Sequence, residues 1–153
     1  MDTRYPLTLL YDASCPVCSL EMDHLRERDT AGHLRFVDIA APGFDAAAYG
    51  RSWAALDAEI HGVWADGSAV VGLATLRAAY AAVGLGWVLA GTGAGPLRPL
   101  FDRAYRLFAR YRRPISRAAA PLIDAVRARR VHARMTRCRD GACDLGRGTE
   151  ERS

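Results

Sequence analysis

The chain has 153 residues, half of them apolar and a quarter charged, with a formal net charge of +4. That is enough chain for one globular domain with a buried core, and it excludes a collagen-like, disordered or disulfide-dense scaffold. All 21 basic side chains are arginine and their distribution is uneven: residues 1–97 carry a net −5, residues 98–139 a net +11, and the last 14 residues −2.

The chain opens on Met1-Asp2-Thr3-Arg4-Tyr5-Pro6, which lacks a basic region followed by an apolar core and a small-residue cleavage site. A cytoplasmic location in a reducing compartment is therefore expected. Pro6 to Tyr11 is an apolar, β-prone run ending at Asp12, the first strand. It leads into Asp12-Ala-Ser-Cys15-Pro-Val-Cys18. Pro16 suits the first turn of a helix, where its missing N–H costs nothing, and residues 16–29 favour helix. Cys15 then sits at the helix N-terminus, where free N–H groups and the macrodipole favour a thiolate. Cys18 follows one turn later on the same face, within reach of a disulfide. Ser14 is the expected N-cap. Asp12 reads either as a proton acceptor serving a thiol, the less exposed Cys18 in particular, or as an Asx-turn ordering the loop.

Gly32 ends the first helix, and His33 to Ile39 alternates as a second strand until Pro42-Gly43. A second helix is expected from about Ala46 to Glu59. Gly62 to Ala65 and Ser68 to Val71 flank Asp66-Gly67 as a hairpin. Leu73 to Val83 is a third helix, closed by Gly84. The order β-α-β-α-β-β-α fits an α/β mixed sheet of four strands with helices on its faces. His61, at the start of the third strand, reaches the cysteines if that strand lies beside the first. Residues 78–97 are uncharged, but six Gly or Pro residues interrupt them, which argues against a membrane span. Gly91-Thr-Gly-Ala-Gly95 lacks the preceding strand and following Lys-Ser/Thr of a phosphate loop.

From Pro99 to Arg112 apolar residues recur at helical spacing opposite an arginine face, and a second basic helix is expected from about Ala118 to Met135. An acidic partner protein or an anionic membrane surface would suit those arginines. No stacking motif or recognition-helix signature speaks for nucleic acid. The expected organisation is a CxxC core over 1–97, a basic helical extension packed on it over 98–137, and a tail over 138–153. That tail contains Cys138 and Cys143, a second pair read as a relay, a regulatory disulfide or idle thiols.

The order of elements resembles a thioredoxin or glutaredoxin core, with its CxxC at the same strand-to-helix junction. More narrowly, the chain resembles the DCC family of thioredoxin-like thiol-disulfide oxidoreductases, which carries an Asp-x-x-Cys-x-x-Cys signature. Asp12, Cys15 and Cys18 match it. Leu34 to Ile39, the Asp66-Gly67 hairpin, Gly72-Leu-Ala-Thr and Tyr111-Arg-Arg-Pro-Ile-Ser116 match further family segments, so the resemblance spans residues 6–120. It implies a thioredoxin-like fold and redox chemistry but names no substrate; a disulfide-containing protein or a small thiol is the expected partner, and no cofactor is expected. Cys15 would attack a disulfide and Cys18 would resolve the mixed disulfide. Ala13 stands where the family commonly has Gly. The cis-proline that a thioredoxin core places before its third strand falls near Glu59 to His61, where this chain has no proline. The competing readings are a zinc module built from Cys15, Cys18, Cys138 and Cys143, or a basic interaction module on a thioredoxin-like scaffold.

Overall fold

The computed structural model describes residues 4–139, and of 134 and 136–139 only the helical backbone. β1 (Leu7–Tyr11) leads to α1 (Pro16–Arg28) and β2 (Leu34–Asp38). After α2 (Trp53–Ala58) come β3 (His61–Val63), β4 (Ala69–Val71) and α3 (Leu73–Ala82). A short α4 (Gly86–Ala90) precedes α5 (Arg98–Arg139). The strands form one mixed sheet in the order β2-β1-β3-β4, with β1 parallel to β2 and antiparallel to β3. This is the expected four-stranded, thioredoxin-like arrangement with flanking helices.

Alternation along β1 assigns the two faces of the sheet. Leu7 and Leu9 are fully buried on one face with Met22 and Leu25 of α1 and Ala79 of α3. Leu10 packs on the other with Ile39 and Leu56 of α2. Helices thus cover both faces around the end of β1. Gly62 pairs with Leu9, and a Cβ there would stand 2.9 Å from the Thr75 methyl and 3.0 Å from Leu7, so only glycine lets α3 approach this closely. The turn from α1 to β2 is held by Asp29, whose carboxylate accepts the backbone N–H groups of His33 (2.8 Å) and Leu34 (2.9 Å).

Two helical expectations are corrected. The helix expected over Ala46 to Glu59 is a 3-10 turn at Ala47–Tyr49 and the shorter α2, divided at Gly50 with φ +63°. Ser52 then caps α2, its hydroxyl accepting the Ala55 N–H at 3.2 Å. The two separate basic helices are one helix of 42 residues. Pro114 and Pro121 lie inside it, each removing one backbone hydrogen bond, yet the surrounding Ala, Leu and Arg residues continue the helix. Two compact units divide the chain between Ala119 and Ala120, within α5. The first 22 residues of α5 therefore share a unit with the sheet. The second unit, as far as it is described, is the C-terminal part of that helix. Among the described residues no helix is long and apolar enough to cross a membrane.

Candidate functional site

The site begins where β1 stops. Asp12, 5% exposed, folds its carboxylate back over the loop, and Oδ1 accepts the Ser14 backbone N–H at 2.9 Å and the Ser14 hydroxyl at 2.5 Å. This is the Asx-turn reading of Asp12. It also corrects the role given to Ser14: its hydroxyl is taken by Asp12, and the N-cap of α1 is Cys15, which makes no side-chain capping bond. Pro16 occupies the first helical turn as expected. Asp38, paired with Tyr11 across β1 and β2, accepts the Ala13 N–H at 3.0 Å, and the Ser19 hydroxyl donates to the Ala13 carbonyl at 2.7 Å. Four residues of loop are thus fixed from both sides before α1 begins.

That loop delivers the two cysteines as free thiols with Sγ atoms 2.9 Å apart. Their exposure reverses the expectation: Cys15 is 3% exposed, whereas Cys18 is partly exposed. Cover over Cys15 comes from α5, where Ser116, 1% exposed, places its Oγ 3.3 Å from Cys15 Sγ. The Cys15 pKa is lowered to about 5. The Cys18 thiol donating to it contributes most, burial opposes, and the Ser116 hydroxyl, the Cys18 backbone N–H and the Arg112 charge add to the lowering. Cys18 moves the opposite way: the proton it shares with Cys15 stays on it, and burial and the neighbouring negative charges reinforce that. The pair is poised as thiolate and thiol.

Arg112 joins this centre to the rest of the unit. Its guanidinium is 9% exposed, 2.8 Å from the Asp57 carboxylate and 3.6 Å from Asp12 Oδ2. Arg113, 54% exposed, repeats both contacts at 2.9 and 3.8 Å. Asp12 is therefore a loop organiser held against two arginines. His61 is not part of the site. β3 does lie beside β1, but its register pairs His61 with Leu10, on the α2 face away from α1, and its Nδ1 lies 3.0 Å from the Glu59 carbonyl.

Cys143 and the Cys138 side chain lie outside the described residues, and with them the second redox pair and the four-cysteine zinc site. Among the described residues no group of three or more His, Cys, Asp or Glu side chains is placed to hold a metal ion. Sequence reasoning gave no site role to Arg112, Arg113, Ser116, Asp38 or Asp57. A signal existed for three of them: Tyr111 to Ser116 stood out as a family segment, without a stated purpose.

A family model described as DCC1-like thiol-disulfide oxidoreductase matches residues 9–118, from within β1 to just beyond Ser116. The chain belongs to that family. The DCC1-like match encloses the cysteines, Asp12, Asp57, Arg112 and Ser116, and it supports a redox function in general. An uncharacterized chloroplastic protein of Arabidopsis thaliana is 32% identical over 137 residues, which cover 88% of this chain and 63% of the relative. The chain thus spans less than two thirds of that relative's length. No solved structure matches. The relative's chloroplastic description overturns the cytoplasmic location expected from the N-terminal residues, a stretch that does not decide where such a protein resides.

Proposed function

We propose that the protein exchanges thiols and disulfides through Cys15 and Cys18. The Cys15 thiolate attacks a substrate disulfide, forming a mixed disulfide and releasing one substrate thiolate. Cys18 loses its proton and attacks Cys15 Sγ, closing the Cys15–Cys18 disulfide and releasing the second substrate thiol. Two electrons pass from the protein to the substrate, and every step is reversible. The observation that carries this reading is the surroundings of Cys15 Sγ: a thiol at 2.9 Å and a hydroxyl at 3.3 Å, both donors to a thiolate held at a pKa of about 5. Such stabilisation favours the reduced pair, so in a less reducing setting the oxidised pair would take electrons from substrate thiols.

The test is a redox titration across a thiol-disulfide buffer series, with alkylation of free thiols and mass-spectrometric mapping. A reversible Cys15–Cys18 disulfide with a midpoint less negative than about −270 mV is expected, on the oxidising side of thioredoxin. Absence of that disulfide at every poise would remove the proposal.

A further inference from the structure

A cavity of about 280 Å³ opens beside Cys18, between α1, α3, α5 and the end of β1. Val17, Met22, Leu56, Leu76 and Phe108 are among the apolar groups that make most of its wall. Its charged groups are Asp12, Glu21, Glu59 and Arg112, three carboxylates against one guanidinium that is already bound to Asp57 at 2.8 Å. An anionic ligand entering here meets like charge, and a long polar one loses hydration against a mostly apolar wall.

The backbone next to the cavity excludes a second class of ligand. In a thioredoxin-like core the segment before the third strand is where an extended peptide could pair. Here the Ile60 carbonyl accepts the Gly72 N–H at 2.8 Å. The Glu59 carbonyl already lies 3.0 Å from His61 Nδ1. A peptide strand finds no free edge at these groups, and Cys15, 3% exposed and not itself part of the cavity wall, is approached from the cavity past Cys18 at 2.9 Å, a path that bars a bulky disulfide loop.

We infer that this cavity is the substrate site for a compact, uncharged, apolar disulfide or its thiol, rather than for a peptide or a glutathione-type disulfide. The inference rests on the thiol-disulfide reading above and names the substrate class for it. A disulfide R–S–S–R in the cavity lies against Cys18, whose Sγ is 2.9 Å from that of Cys15. Attack by Cys15 forms the Cys15–S–R bond and breaks R–S–S–R, and the departing RS⁻ takes the Cys18 proton to leave as RSH. Cys18, now a thiolate, attacks Cys15 Sγ and expels the second RS⁻, which is protonated by water.

The experiment measures oxidation of the reduced full chain by diethyl, dipropyl and dibutyl disulfides, by glutathione disulfide, and by a cyclic peptide disulfide, with dithiothreitol as the reference thiol. The rate should rise about fourfold for each methylene buried in the cavity, whereas dithiothreitol gives a flat series. Phe108→Glu, at a position 38% exposed, should flatten the series for the protein. A slope equal to that of dithiothreitol in the unmodified protein, or faster reaction with glutathione or peptide disulfide than with the dipropyl compound, overturns the inference. Diamide separates the two levels. If diamide fails to produce the Cys15–Cys18 disulfide, the thiol-disulfide reading fails; if it succeeds while the series stays flat, only the cavity assignment fails.

Discussion

Replacing Ser116 by alanine isolates what α5 does for the reactive sulfur. The hydroxyl lies 3.3 Å from Cys15 Sγ and is almost fully buried, so the substitution removes one donor and little else. A hydrogen bond to a charged group contributes about 1.5–3 kcal/mol, and a sulfur acceptor belongs at the lower end. At roughly 1.4 kcal/mol per factor of ten, the Cys15 midpoint should rise from about 5 by about 1 pH unit. Cys18 holds its proton throughout this range, so a single ionisation is observed.

Two consequences oppose each other in an alkylation assay with iodoacetamide. At pH 5 the parent is about half thiolate and the variant about one tenth, while the more basic thiolate is roughly threefold more nucleophilic. The variant should therefore react at about half the parental rate at pH 5 and about threefold faster at pH 8, where both are ionised. The two pH profiles cross between about pH 5 and pH 6. A variant whose rate changes by one factor at every pH has merely loosened the cover over Cys15. That result, or an unmoved midpoint in thiolate absorbance, refutes the assigned role of Ser116.

Cys15, with its pKa depressed in the fold, stabilises the reduced protein above the unfolded thiol pKa and loses that contribution as pH falls through about 5. The unfolding free energy of the reduced protein, read from denaturant titrations, should thus climb between about pH 5 and pH 9 by up to about 1.4 kcal/mol per pH unit, and Cys15→Ser should abolish the climb. Arg112→Met leaves the buried Asp12 with only the more distant Arg113 and should cost about 3 kcal/mol in urea unfolding. Arg113→Met, on a side chain 54% exposed, should cost less than about 1 kcal/mol by the same measurement. Gly62→Ala forces a Cβ to within 2.9 Å of Thr75 and should destabilise by about 1–3 kcal/mol, read from the thermal midpoint.

Local chemistry was legible and long-range contact was not. Pro16 and the apolar run into Asp12 placed Cys15 and Cys18 at the strand-to-helix junction, because a fixed φ and an alternating strand are properties of neighbouring residues. Ser14 misled for a related reason: cap preference is local, but the Asp12 carboxylate two residues away competes for the same hydroxyl and wins. Gly50 divided the second helix because its left-handed φ outweighs the helix preference of the alanines around it. Ser116 lies 101 residues from Cys15, and nothing in its own neighbourhood marks it for a thiol. The same holds for Arg112, hidden among exposed arginines of the same helix until α5 meets Asp57. Exposure was misjudged because the covering element comes from the far end of the compact unit.

The low pKa of Cys15 invites the conclusion that it speeds attack at neutral pH, and the magnitudes argue otherwise. Ionisation at about 5 instead of 9.0 raises the thiolate at pH 7 from about 1% to about 99%, close to a hundredfold gain. Nucleophilicity falls with basicity by a factor of roughly 2.5–3 for each pH unit of lowering, so the loss over that interval is on the order of 40- to 100-fold. The two nearly cancel. What survives is the effect on departure: when a second thiol attacks the substrate sulfur of a mixed disulfide, Cys15 leaves as an already stabilised thiolate, received by Ser116 and by the N-terminal amide of α1. In the proposed exchange the donors gathered around Cys15 Sγ would therefore favour return of the mixed disulfide to the reduced pair. The loop built by Asp12 and Asp38, and the cover supplied by α5, set an equilibrium more than they set a rate of attack.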